Sequence, residues 1–281
     1  MRIVIVGSMA AAIAAFAFVA ATTNGSAHGE GSRISRSAAV TRPIVVLEHG
    51  AWADASSWRR VIARLQHDGY TVYAPPDPLR GLPSDSAYLH AFLTENAALR
   101  GRPVVLVGHS YGGAVITNAA VGVPEVKALV YVDAFIPDQG QSLEELDHGS
   151  CLAGNPAALF DLVPYPGGPE GDVDTYLKRD VVRNCFATGL PAAQAAVIAA
   201  TQRPLAASAL SEPSGPPAWK NVPSWAVVGT ADKVIPAMQQ LTMAHRAGAH
   251  IIEVDAGHLS LISRARTVTR VIEAAARARV R

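Results

Sequence analysis

Val104-Val105-Leu106-Val107 runs without interruption into Gly108-His109-Ser110-Tyr111-Gly112-Gly113, and residues 114–121 that follow read as helix. Four consecutive apolar residues, three of them β-branched, are what a strand buried on both faces requires. A strand that passes into a helix through so short a turn forces its central residue, Ser110, into a strained backbone conformation. Glycines flank it because Cβ atoms there would strike the strand and the helix. The Ser110 hydroxyl is thereby held out over the sheet edge at a helix N-terminus, where the dipole favours developing negative charge. Gly-x-Ser-x-Gly by itself is a common pattern; lying between a strand and a helix, it makes Ser110 the candidate nucleophile.

The same alternation recurs along the chain. Ile44-Val45-Val46-Leu47 reads as a buried strand, and residues 56–66 carry Trp58, Val61, Ile62 and Leu65 at helical spacing. Gly69 closes that helix, and further strands are expected at 70–74, 128–132, 224–228 and 251–254, with helices at 84–99 and 264–279. Strands alternating with helices of this length imply an α/β fold with a mostly parallel central sheet and helices on both faces. Between Pro137 and Pro223 the rhythm fails, and Pro, Gly and Ala become frequent. Residues 137–223 are therefore expected to be an inserted cap of mainly short helices, returning through Pro213-Ser214-Gly215-Pro216-Pro217. That leaves residues 43–136 and 224–281 for the sheet core.

The first 27 residues differ from the rest. Arg2 precedes an almost wholly apolar run from Ile3 to Ala21, after which small and polar residues lead to Ala27. This describes a secretory signal peptide over residues 1–27, followed by a small, polar leader over 28–42. A membrane anchor competes, because the run approaches the roughly 20 residues that span a bilayer; a buried strand over residues 2–6 is a third reading. The Ala richness and small-residue exit favour cleavage, hence a secreted or periplasmic protein without stable membrane association.

The 24 basic and 23 acidic residues leave a net charge of +1, and no basic tract occurs, so electrostatics give no case for nucleic acid. Export gives Cys151 and Cys185, the only two cysteines, an oxidising environment in which to pair; two buried free thiols are the alternative. No His or Cys stands at metal-ligand spacing near either, so no metal site is expected.

A serine hydroxyl needs a base and an orienting acid. Downstream of Ser110 stand His148, His245, His250 and His258. His258, in Asp255-Ala256-Gly257-His258, lies just beyond the last strand over the same sheet edge and is the candidate base. His148 falls in the cap, and His245 and His250 in a helix and at a strand start. Asp232 follows the strand of Val227-Val228 by a few residues and is the expected acid. Asp133, just past Val130-Tyr131-Val132, is its rival, and Asp255 is adjacent to the base but at the strand end. Two backbone N–H groups must meet the oxyanion. Tyr111 supplies one, and Ala51 in His49-Gly50-Ala51-Trp52 is expected to supply the other, with Trp52 the next candidate. His49 is read as structural, and Trp52, Phe135 and Leu259 are candidate substrate walls.

Together these residues resemble the α/β-hydrolase superfamily over essentially the whole mature chain. His49-Gly50-Ala51-Trp52 with Ser57-Trp58, the Ser110 motif, residues 132–138 and residues 229–236 resemble small esterases related to plant methyl-ester hydrolases and hydroxynitrile lyases. The order Ser110, Asp232, His258 matches the superfamily's. The resemblance implies a cap roofing a pocket, no cofactor, and a small-molecule ester as substrate. Gly257-His258-Leu259-Ser260 lacks the charged neighbour of lyase relatives, so lyase chemistry is not implied. The expected activity is cleavage of small to medium hydrophobic carboxylic esters through an acyl-enzyme on Ser110. Lactones, amides or C–C bonds, or a non-catalytic ligand-binding role, are the alternatives.

Overall fold

The computed structural model describes residues 42–278. The expectations for a signal peptide over 1–27 and for the leader up to residue 41 lie outside the described residues.

In chain order the first half contains β1 (Ile44–Glu48), α1 (Arg59–His67), β2 (Val72–Tyr73), α2 (Leu82–Glu95), β3 (Val104–His109), α3 (Tyr111–Ala119) and β4 (Val126–Val132). β1 and β3 are buried at every position, as their unbroken apolar runs require. Residues 137–223 then supply α4 (Leu143–Leu146), α5 (Pro156–Leu159), β5 (Phe160–Val163), β6 (Asp174–Leu177), α6 (Arg179–Val181), α7 (Ala192–Thr201) and β7 (Leu205–Ala206). The chain returns through β8 (Ser224–Gly229), α8 (Ala237–Arg246), β9 (His250–Val254), α9 (Ser260–Ser263) and α10 (Ala265–Arg277).

The central sheet runs β2-β1-β3-β4-β8-β9 with every pairing parallel. α1 packs on α10, which lies against β3, β4 and β8, while α2 packs on α3. From β1 the chain steps outward to β2 and then crosses back to β3 on the other side of β1. The order therefore reverses between β1 and β3, and at such a switch point the loops leaving two neighbouring strands diverge and open a crevice. Residues 49–52 leave β1 and Ser110 leaves β3 at that crevice.

Several elements differ in extent from the sequence reading. β2 is only two residues long because the Tyr70 amide is spent on the Leu65 carbonyl at the end of α1, and prolines follow at 75, 76 and 78. α2 stops at Glu95, where Asn96 turns extended and its side chain accepts the Ala98 N–H. The insertion also holds more than short helices, since β5, β6 and β7 form an antiparallel sheet. These strands of four, four and two residues contain no β-branched run, so composition does not reveal them. Cys151 and Cys185 are joined as a disulfide, which ties the segment after α4 to the helical turn Val182–Phe186.

Candidate active site

Ser110 lies between β3 and α3 with φ +53 and is buried. Positive φ is costly for a residue with a Cβ, and the surroundings hold it there. Its amide donates to the Val132 carbonyl (3.3 Å), and its carbonyl accepts from Phe135 (3.2 Å) and Gly113 (2.9 Å). The flanking glycines are sterically required: a Cβ at Gly108 would strike the Gly112 carbonyl, and one at Gly112 would approach the His49 carbonyl.

The β1 loop reaches this turn through Gly50, whose added Cβ would stand 2.8 Å from Ser110 Cβ. The next residue, Ala51, has a backbone N–H with no hydrogen bond among the described residues, and Tyr111, opening α3, has no helical acceptor for its own. Tyr111 is held by its phenol, which donates to Asp85 Oδ2 over 2.7 Å. Asp85 also accepts the amides of Arg80 and Gly81. His49 is buried and accepts the Asp77 amide at Nε2 (3.0 Å), so its Nδ1 carries the proton toward the Gly50 carbonyl. Burial lowers the His49 pKa, which suits this neutral, structural imidazole.

Across the crevice stands His258, fully buried. Its Nε2 lies 2.9 Å from Ser110 Oγ and its Nδ1 lies 2.9 Å from Asp232 Oδ2. Asp232 is fixed in turn: Oδ1 accepts the amides of Val234 (2.8 Å) and Ile235 (3.1 Å), and Oδ2 accepts Gln240 Nε2 (2.8 Å). Burial opposes charging the imidazole, but the Asp232 charge and hydrogen bond, with the Asp133 and Asp147 carboxylates, hold the His258 pKa above the usual histidine value. Asp133 makes no hydrogen bond to the ring; its two oxygens accept the amides of Gly229 and Ser260. Burial, then the Asp232 charge, pushes the Asp133 pKa up to about 8. Asp255 is exposed, as are His148, His245 and His250, and none of the four joins the chain of hydrogen bonds.

A cavity of about 520 Å³ opens over Ser110. Trp52 and Phe135 line it, with Leu143, Leu152, Phe160 and Val234 among the other walls. Leu259 does not: it is buried on a separate cleft beside Arg59, Phe186 and Gln194. The reason is geometric, since Leu259 directly precedes α9, which packs on α1 and α10, away from the space over Ser110. Trp52 has φ +54, stacks on Phe160 at 5.6 Å and donates its indole N–H to the Thr175 carbonyl at 3.0 Å. Of the described residues lining the cavity, only Glu144 and Asp147 bear charge, and burial raises the Asp147 pKa to about 6. Sequence reading missed both, along with Gln240, because cap packing and one side chain of α8 bring them in from a distance. Among the described residues, no cluster of three His, Cys, Asp or Glu is arranged to hold a metal ion.

Fold and site define the class. A sequence model of the Alpha/beta hydrolase family matches residues 44–271, and the chain belongs to that family. A carbendazim hydrolyzing esterase of Nocardioides sp. is 37% identical over 110 residues, 36% of this chain and 46% of that enzyme. The chain thus matches less than half of that relative's length. Among solved structures, an extracellular alpha/beta-hydrolase from a Paenibacillus species, described as homologous to tobacco salicylic acid binding protein 2, superposes with a TM-score of 0.69 at 23% identity, covering 84% of this chain and 100% of that one. The methylesterase MES16 from Arabidopsis superposes with a TM-score of 0.66 at 17% identity, over 83% and 98% of the two chains. The protein is thus an alpha/beta hydrolase with esterases among its relatives and small plant-type esterases among its structural neighbours.

Proposed function

We propose that this protein is a serine esterase that hydrolyses small to medium, largely apolar carboxylic esters. The observation that carries this reading is the unbroken relay Ser110 Oγ, His258 Nε2, His258 Nδ1, Asp232 Oδ2, with 2.9 Å at each hydrogen bond.

In this reading Ser110 Oγ attacks the ester carbonyl carbon and gives its proton to His258 Nε2. Asp232 keeps Nδ1 protonated and stabilises the imidazolium that results. The carbonyl oxygen becomes an oxyanion, met by the Ala51 and Tyr111 amides, whose donors have no competing acceptor among the described residues. The intermediate collapses, the C–O bond to the alcohol breaks, and His258 returns its proton to the departing oxygen. Water then repeats the sequence on the acyl-enzyme: His258 takes its proton, the carbon–Oγ bond breaks, and Ser110 recovers a proton as the acid leaves. The relay needs no cofactor, and the apolar walls of Trp52, Phe135, Leu152 and Phe160 suit an apolar acyl or alcohol group.

We place the protein outside the cytoplasm. Residues 1–27 have the organisation of a cleaved signal peptide, and a disulfide suits an oxidising compartment. Among the described residues, no helix is long and apolar enough to cross a membrane.

A serine-directed phosphonate tests the activity. Stoichiometric labelling, lost in Ser110→Ala together with turnover of p-nitrophenyl acetate, is the expected result. An unlabelled, inactive wild type would overturn the reading.

A further inference from the structure

The buried groups around the site include one carboxyl that the mechanism above does not use. Asp133 directly follows β4, is fully buried, and holds φ +46. Among the described residues, the only other non-glycine residues with positive φ are Trp52, Leu79 and Ser110, so this strain is concentrated at the site. What Asp133 touches accounts for its place. Gly229 donates its amide to Oδ1 over 2.9 Å, and Ser260 donates its amide to Oδ2 over 3.0 Å. Gly229 begins the loop that carries Asp232, and Asp232 donates its own amide back to the Gly229 carbonyl (3.1 Å). Ser260 lies two residues beyond His258. The main chain around Asp133 holds the third element: Val132 and Phe135 bind the amide and the carbonyl of Ser110, while the Asp133 amide donates to Val227 of β8. Gly229 has to be glycine for this approach, because a Cβ there would stand 3.0 Å from Asp133 Oδ1 and 2.8 Å from the Ala256 carbonyl.

We propose that Asp133 is a positioning residue whose carboxyl clamps the Asp232 loop to the His258 loop and fixes both against the Ser110 turn. The consequence for turnover rests on the esterase reading; the clamp itself does not. It requires two acceptor oxygens facing two different loops, and a carboxyl presents them in either protonation state. An amide presents one acceptor and turns an N–H₂ toward the other donor; a methyl group presents none. Loops freed in this way let His258 drift from Ser110, and misplacement of about 1 Å at such a centre costs on the order of a hundredfold in rate.

The test compares Asp133→Asn, Asp133→Ala and Gly229→Ala, the last crowding the same oxygen from the opposite side, in the full-length mature chain. The first readout needs no catalysis: the downfield proton resonance of His258 Nδ1–H bonded to Asp232, assigned by its absence in His258→Gln. It is expected to weaken in Asp133→Asn and to vanish in Asp133→Ala while circular dichroism stays native. The second readout is kinetic: kcat for p-nitrophenyl acetate should fall about tenfold in Asp133→Asn and about a hundredfold in Asp133→Ala, with KM little changed. Gly229→Ala should behave like Asp133→Asn. Should Asp133→Ala not fold, Asp133→Asn, which keeps the volume and one acceptor, decides. A lower melting temperature with the resonance and kcat unchanged overturns the clamp. So does a shifted pH profile with an unchanged plateau, which would mean that Asp133 acts by charge alone. A wild type that turns over no ester counts against the esterase reading, while the resonance still decides the clamp.

Discussion

His109 donates its Nε2–H to the main-chain carbonyl of His258 over 2.9 Å, and the two imidazole rings lie 4.8 Å apart. The residue preceding Ser110 thus holds the backbone of His258. Burial and the neighbouring His258 keep the His109 pKa well below the ordinary value, so the ring stays neutral and Nε2–H stays available. His109→Leu removes the donor and leaves a buried carbonyl unpaired, at a cost of about 1–3 kcal/mol. We expect a lower denaturation midpoint together with a kcat reduced about tenfold, measured on the same preparation. An unchanged kcat would mean that the His258 loop needs no such support.

Asp232→Asn should retain the fold but lose on the order of a thousandfold in kcat, because an amide no longer selects the imidazole tautomer with Nε2 free to accept. Steady-state kinetics with burst-phase titration of active sites measures this. Retention of full activity would move the acid role away from Asp232.

The pH profile follows from the His258 environment. Its pKa is held above the ordinary histidine value, and only the neutral ring accepts the Ser110 proton, so kcat/KM should fall on acidification through a pH above that value. The Asp147 carboxylate contributes to that elevation. Asp147→Asn removes negative charge, so the acid limb should move to lower pH. A limb that stays in place would show that Asp147 does not act on the imidazole.

The disulfide closes a loop between Cys151 and Cys185, 34 residues apart, which the chain-entropy relation values at about 4 kcal/mol. The double variant Cys151→Ala/Cys185→Ala should melt on the order of 5–15 °C lower. Since Leu152 lines the cavity and Phe186 lies 5.3 Å from the His258 ring, kcat/KM for bulky esters should fall more than for acetate. Differential scanning calorimetry and an ester series check the two parts.

Trp52 faces Phe160 on the cavity side and meets Phe186 edge-on at 6.0 Å, where the neighbouring cleft begins. Trp52→Ala should therefore join the two spaces and raise the octanoate-to-acetate ratio of kcat/KM, while destabilising the fold by about 3–5 kcal/mol. An unaltered chain-length preference would show that Trp52 does not bound the acyl site.

The placement of Ser110 was legible because its cause is local. A buried strand, a turn too tight for Cβ atoms and a helix are consecutive in sequence, and their sterics need no distant partner. The alternation of strands and helices likewise fixed the class of sheet, with errors only at ends such as Asn96 and Tyr70, where one capping hydrogen bond decides the boundary. Other features had no local cause. Leu259, a candidate wall by sequence, lines another cleft, because α9 takes its direction from packing on α1 and α10. The strands β5–β7 escaped notice because two- and four-residue strands draw their stability from partners, not from composition. Asp133 and Asp232 follow neighbouring strands, and sequence context favours Asp232 as the acid with Asp133 as its rival. Only the folded chain decides that Asp232 meets the imidazole while Asp133 meets two backbone amides. The sequence by itself determined the turn at Ser110 and the alternating architecture; the tertiary structure decided which distant carboxyl, which loops and which residues of the insertion converge on it, because each of those contacts joins segments that share no local geometry.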